Sequence, residues 1–579
     1  MVSLSPLARR VFLAMSLALA AGGASAQAGG DDTELPAAGA AGPDADEHLP
    51  SQQLSEQVLY ELLLGEVAAQ RGNPELAAQT YLDLAKRTRD PRIARRAVEM
   101  ANYARMPESA LEAAKLWHET DPDSPAALQM VTAFLVSTRR IDEAEPYLEK
   151  LLASKGAQTE NGFMQLNRLL AGNPDKQANL RVVRKLAAGY PNLPHAHFAV
   201  SQAALLAKDE PLALSEIRRA SELKPDWDIA AVFEAQILQE SQPDQAARRL
   251  KRFLDKYPDK RDVRLTYART LVADKRYAEA RVQFEKLLAD NPDNVDVVYA
   301  VGLLAFQLRD YATAESSMQR LLKLDYRDPD GARYVLGQIA EEQKQWPKAV
   351  DWYEKIQRGE HYFPARLRAA QAIAKQGKVE EARAYLHAVK ASDDLEKVQL
   401  ITAEAQILRD AGMAGEALTL LGKALESQPD QPELLYDMAL TADKLDRFDI
   451  LEENLRKVIK VKPDYAHAYN ALGYSLADRN ERLPEARKLI EKALELSPDD
   501  SFIIDSMGWV LYREGDLKGA ARYLRRAYDG RPDAEIGAHL GEVLWMGGKR
   551  DEARRVWNEA LKIHPDNDTL QKTVKRFIR

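Results

Sequence analysis

The chain has 579 residues, no cysteine and a formal net charge of −8. Lacking cysteine, it can form no disulfide, thiolate zinc site, cysteine nucleophile or lipid-modified cysteine, and the acidic balance gives no global footprint for nucleic acid. A composition rich in Ala, Leu, Glu, Arg and Lys, with only 7% aromatic residues, favours helices and makes a repeat array a serious alternative to several separate domains.

At the start of the chain, Arg9 and Arg10 precede an apolar stretch from Val11 to Ala21, and Ala24-Ser25-Ala26 follows. This pattern predicts a secretory signal peptide over residues 1–26, too short for a comfortable membrane span. "RRVFL", residues 9–13, resembles the core of a twin-arginine signal, but Ala8 stands where Ser or Thr is common and Ala14 where Lys is common. Ordinary secretion in the unfolded state is therefore the favoured route, with a mature chain beginning at Gln27 in the periplasm. Residues 27–50 hold six acidic residues and no Lys or Arg among Gly, Ala and Pro. Such a segment buries too little apolar surface to offset its ordering entropy and is expected to be a disordered acidic linker. The remaining body is nearly neutral.

Farther on, "KRTRDPRIARR", residues 86–96, sets six positive residues against Asp90. It reads either as a solvated helix face with a turn or as a docking patch for an anionic partner, the acidic linker included.

The dominant signal is periodic. In "ARKLIEKALELSPDD", residues 486–500, Ala486, Ile490, Ala493 and Pro498 mark offsets that recur at Ala520/Leu524/Ala527/Pro532 and at Ala553/Trp557/Ala560/Pro565. Fifteen such starts run from Ala77 to Ala553 with a mean period of 34 residues, and no step departs from it by more than one. About twelve residues before most of the starts stands a small residue, as in Leu336-Gly337, Leu472-Gly473, Met507-Gly508 and Leu540-Gly541. A small residue there and an alanine at the start let two helices cross closely, and the proline ends the second helix. The interval from Gly473 to Ala486 is one residue longer, which predicts an insertion in the turn at "RNERLP", residues 479–484.

This period and these positions resemble the tetratricopeptide repeat over residues 54–565. The predicted fold is therefore an all-α superhelical solenoid of about fifteen helix-turn-helix repeats across residues 51–565. "DNDTLQKTVKRFIR" keeps Leu570, Val574 and Ile578 on one face, which predicts a capping helix over residues 566–579.

Little in the array points to catalysis. "GYSLA", residues 473–477, superficially matches a nucleophile elbow, but a first helix cannot supply the required strand-to-helix turn for Ser475. His195 and His197 are two apart and diverge on a helix, so no metal is expected there. No catalytic residue, metal or cofactor is assigned.

The resemblance implies that first helices line an inner groove, with residues beside the small position pointing into it. Those positions include Tyr299, Phe306, Tyr334, Tyr436, Asn470, Tyr474, Trp509, Tyr512, Arg513 and Trp545. Aromatic, amide and guanidinium groups are what an extended peptide needs, although solenoids also bury aromatics between neighbouring repeats. The Lys/Asn clamp by which some relatives hold a terminal carboxylate is not recognisable.

Residues 59–101 and 470–517 further resemble a proteobacterial envelope group of repeat-rich adaptor lipoproteins. These partner a carboxyl-terminal processing protease and bring cell-wall hydrolases to it. The group's lipid-accepting cysteine is missing here, and Ala24-Ser25-Ala26 takes the processing role. The resemblance implies a non-catalytic periplasmic adaptor with protein partners, no nucleic acid and no membrane span after signal removal. A scaffold for exopolysaccharide or pilus export is the alternative.

Overall fold

The computed structural model describes residues 54–153, 157–324 and 326–578. The predicted signal peptide and acidic linker lie outside the described residues.

Thirty-one α-helices and no strands occur among the described residues. Thirty of them alternate as first and second helices of fifteen repeats, and the last is Asp568–Phe577. Each of the fifteen repeat starts read from the sequence is the fourth residue of a second helix, from Ala77 in Pro74–Thr88 to Ala553 in Arg550–Ile563. All fifteen are buried; thirteen are alanines with no exposed surface, and Asn179 and Leu451 stand in at the other two. The prolines act as expected, with Pro107–Thr120 and Leu483–Leu496 each ending two residues before one, at Pro122 and Pro498.

The small residues answer to the second helix. A Cβ on Gly473 would lie 2.6 Å from the Ile490 side chain and 2.8 Å from the Ala486 carbonyl oxygen, so the backbones meet with no room between them. At Gly541 the indole of Trp557 occupies that space. Trp557, Ile490 and Leu524 are fully buried in these crossings, and burial of such side chains contributes roughly 1.5–3 kcal/mol each.

Most inter-helix turns reverse on one residue in the left-handed region, such as Arg139, Lys208, Lys344 or Gly515. The turn at residues 479–484 uses two, Asn480 at φ 58° and Arg482 at φ 43°. That is how the extra residue is absorbed without disturbing Ala486.

The helices fall into two compact units, residues 1–310 and 311–579. In the first, seven helix pairs are followed by Val295–Gln307. There His195 packs on Trp227 at 4.5 Å, whereas His197 turns to Glu216 at 2.6 Å and to the Pro191 carbonyl, so the two diverge. The second unit begins with Tyr311–Lys323, continues through seven pairs and ends with Asp568–Phe577. Two of its second helices, Trp346–Glu354 and Val379–Ala388, are short. The buried Arg366 guanidinium donates to the Glu354 and Ile356 carbonyls, satisfying the early end of the first of them. The last helix buries Leu570 and stacks Phe577 on Trp557 at 5.7 Å.

Candidate protein-binding face

In the second unit the first helices Pro432–Lys444, Ala466–Asp478, Ser501–Arg513 and Ala534–Met546 come from successive repeats. Each turns its small position, such as Gly473, Gly508 and Gly541, toward its own second helix. The residues just after the glycine and one turn before it then lie away from that contact. These are Asn470 and Tyr474, then Asp505 and Trp509, then Glu542 in Ala534–Met546.

Contacts between successive first helices tie this layer together. The Trp509 indole N–H donates to Asp478 Oδ1 at 3.3 Å. Arg513 donates to the Ala477 and Asp478 carbonyls at 3.1 and 2.8 Å, satisfying the end of the preceding helix. His539 stacks on Trp509 with ring centres 4.2 Å apart, and its Nδ1 lies 3.0 Å from Asp505 Oδ2. The Tyr512 hydroxyl donates to Glu542 at 3.2 Å, and Arg576 from the last helix pairs with the same carboxylate.

Five of the ten residues singled out from the sequence are thus one cluster: Asn470, Tyr474, Trp509, Tyr512 and Arg513. Trp509 is only 6% exposed and works as the packing centre of the layer, while Tyr474 and Tyr512 are half-buried at its edge. Tyr436 lies on the neighbouring first helix, with its ring 5.3 Å from Tyr465. Trp545 belongs to the end of the unit, packed on Trp557 and Phe577 with Arg550 and Arg554 over its ring. Tyr334 sits in the core at 2% exposure, against Tyr353 and stacked on His361. Tyr299 and Phe306 lie in the first unit, both half-buried and two turns apart on Val295–Gln307. Ser475 is buried in mid-helix.

The electrostatics of the cluster are one-sided. Burial pushes the Tyr474 hydroxyl well above its usual pKa, and Asp478, Asp505, Glu535 and Asp443 all push it the same way. Burial also raises Glu535, where His539 opposes the shift and Asp533 and Asp505 add to it. Asp443 is raised by burial despite Arg479 and Lys444 nearby. Burial alone would lower His539, but the charge and hydrogen bond of Asp505, with Glu535 and Glu542, outweigh it and raise the imidazole pKa.

These carboxylates and His539 were not singled out from the sequence, because they span a hundred residues. One signal could have found some of them: Asp505 and Glu542 occupy the same repeat register as Asn470 and Tyr474, three before and one after the glycine. Among the described residues no group of three or more His, Cys, Asp or Glu is arranged to hold a metal ion. No helix among them is long and apolar enough to cross a membrane.

Family models described as tetratricopeptide repeat match residues 238–305 and 299–361, 436–501 and 506–568. A TPR repeat-containing protein of Pseudomonas aeruginosa is 36% identical over 531 residues, which cover 90% of this chain and 88% of that one. The chain belongs to the tetratricopeptide repeat family. Its all-α array is a tetratricopeptide superhelix, and that fold implies protein partners. Two more distant relatives match at lower identity. The cellulose synthase operon protein C of Pseudomonas fluorescens is 22% identical over 473 residues, 79% of this chain but 33% of that protein. Human aspartyl/asparaginyl beta-hydroxylase, an enzyme by its name, is 25% identical over 255 residues, 39% of this chain and 32% of that one. The tetratricopeptide chain spans about a third of the length of each of these two.

Proposed function

We propose that this tetratricopeptide protein is a non-catalytic periplasmic adaptor that presents cell-wall hydrolases or other envelope proteins to a carboxyl-terminal processing protease. The observation that carries the reading is the layer of first helices at Asn470, Tyr474, Trp509 and Tyr512. Around the packed Trp509, the half-buried Tyr474 and Tyr512 offer apolar contact beside amide and carboxylate groups, the chemistry an extended polypeptide needs for affinity and for backbone hydrogen bonds. The repeats and the final helix account for all the described helices, so the described residues hold no separate domain for a catalytic site. The signal-like start of the chain supports export, and association with the outer membrane would then run through partners.

The second reading, a scaffold for exopolysaccharide or pilus export, draws on the likeness to the cellulose synthase operon protein over most of this chain. Affinity capture from envelope extract separates the two. A protease together with cell-wall hydrolases supports the adaptor; a synthase with an export pore overturns it. Replacing Asn470 and Tyr474 with alanine, with Trp509 left to hold the layer, is expected to weaken capture of the substrate proteins at least ~10-fold, the loss of one modest interface anchor. Protease capture should survive that change.

A further inference from the structure

Three carboxylates on this face form no ion pair among the described residues, although the charges of Arg479 and Lys444 act on Asp443 and that of His539 acts on Glu535. The nearby guanidinium groups are committed elsewhere. Arg513 holds carbonyl oxygens, Arg576 pairs with Glu542, Arg479 pairs with Asp446, and Arg409 pairs with Asp437 at 3.0 Å. His539 is matched to Asp505. Among the described residues, Asp443 and Glu535 make no ion pair, and the Asp478 carboxylate accepts only the Trp509 indole N–H. An independent feature lies beside them. Asn470 Oδ1 is buried and accepts no hydrogen bond, which costs free energy until a donor reaches it. It lies one turn from Tyr474 on the same helix face.

We propose that this face takes a cationic peptide, an extended segment whose lysine or arginine side chain sits over Tyr474 among Asp443, Asp478 and Glu535. The neighbouring backbone N–H would meet Asn470. This deepens the adaptor reading, on which it rests, by naming the chemistry of what is held. A tyrosine face attracts an ammonium or guanidinium group, more strongly when water is excluded. Glu535 is half-buried while Asp443 and Asp478 are exposed, so salt should screen much of this attraction. An acidic segment would meet only like charge here, so the same groups that attract one class of partner reject the other.

The test uses the full chain and three short unstructured fluorescent peptides. They are alike except that their alternate positions carry Lys, Ser or Glu, and binding is read by anisotropy. The Lys peptide is expected to bind at least ~10-fold more tightly than the Glu peptide, with a preference that shrinks as salt is raised. The triple variant Asp443→Asn, Asp478→Asn, Glu535→Gln should lose at least ~10-fold in affinity for the Lys peptide. The equally charge-reduced variant Glu240→Gln, Asp244→Asn, Asp259→Asn, in the other unit, should lose none. Equal binding of the Lys and Glu peptides, or equal losses in the two variants, overturns the proposal. If the triple variant does not fold, the charge preference and salt response of the unaltered chain decide. A chain that shows no preference, yet still loses substrate proteins on Tyr474→Ala, would refute the cationic occupant and leave the adaptor reading standing. Loss of neither would sink both.

Discussion

Two charged regions of this protein invite opposite readings, and their neighbours decide between them. The basic run at residues 86–96 is conspicuous in the sequence, but every one of its six cations has a carboxylate. Lys86 meets Glu112, Arg87 meets Glu61, Arg89 meets Glu119, Arg92 meets Asp90, Arg95 meets Glu99 and Arg96 meets Glu66. Most of these partners lie in adjoining helices, so the patch is neutralised where it stands. The acidic face around Tyr474 is invisible as a run, since its members are scattered from Asp443 to Glu542, yet it keeps carboxylates that form no ion pair. A charge cluster in a repeat array is thus judged by what the next repeat sets opposite it.

The largest expected effect separates buried from exposed pairing. Asp505 is buried and pairs with the largely covered His539. Asp505→Ala leaves an imidazole without its counter-ion in the layer and should cost about 3 kcal/mol in denaturant unfolding of the second unit. A loss under ~1 kcal/mol would show that the pair is open to water and that the two regions do not differ in kind.

The two regions should also respond to pH in opposite directions. The folded pKa of His539 is raised above its unfolded value of 6.5. Its contribution is therefore fully present below about pH 6.5 and fades as pH rises through the folded value. In the basic region, the hydrogen bond from Tyr81, with the charge and hydrogen bond of Arg96, holds Glu66 below 4.5 against the opposing effect of burial. Burial works against ionised Asp90, but Arg92 outweighs it and lowers that carboxyl too. Those contributions are present above the unfolded carboxylate values and fade as pH falls through the folded ones. Hydrogen exchange across pH should show loosening above neutrality around residues 501–546 and in acid around residues 59–103. Asp505→Asn should remove the first response and spare the second.

The smallest effects belong to exposed pairs. Glu112→Gln and Glu119→Gln should each change stability by no more than ~0.5 kcal/mol. The unaltered chain should be released from an immobilised polyanion at low salt, because its basic run is already neutralised. Retention to high salt, lost on Arg89→Gln with Arg95→Gln, would restore the docking-patch reading of that run.

Much of the fold could be read from residue order. Ala486, Ile490 and Ala493 recur at fixed offsets because a helix pair crosses closely only where small residues meet. That requirement is local enough to leave its mark in every repeat. The extra residue before Ala486 was legible for the same reason, and the turn takes it up with a second left-handed residue at Arg482. The binding face was legible only in part. Tyr474 and Trp509 share a register, but nothing in that register tells that Trp509 is sealed under His539 while Tyr474 stays at the edge. Tyr334 shares the aromatic character of the face and lies in the core, because the short second helix Trp346–Glu354 and the segment after it bring Tyr353 and His361 against it.

The sequence by itself determined the repeat, its period and the close crossing within most pairs, since these depend on contacts a few tens of residues apart that the repeats remake. Tertiary structure alone decided which charges are answered. Asp505 meets His539 across 34 residues, Trp509 meets Asp478 across 31, and Arg576 meets Glu542 across 34. Each of those meetings depends on how one repeat is rotated against the next, and that rotation comes from packing of whole helices, which no single residue or spacing encodes.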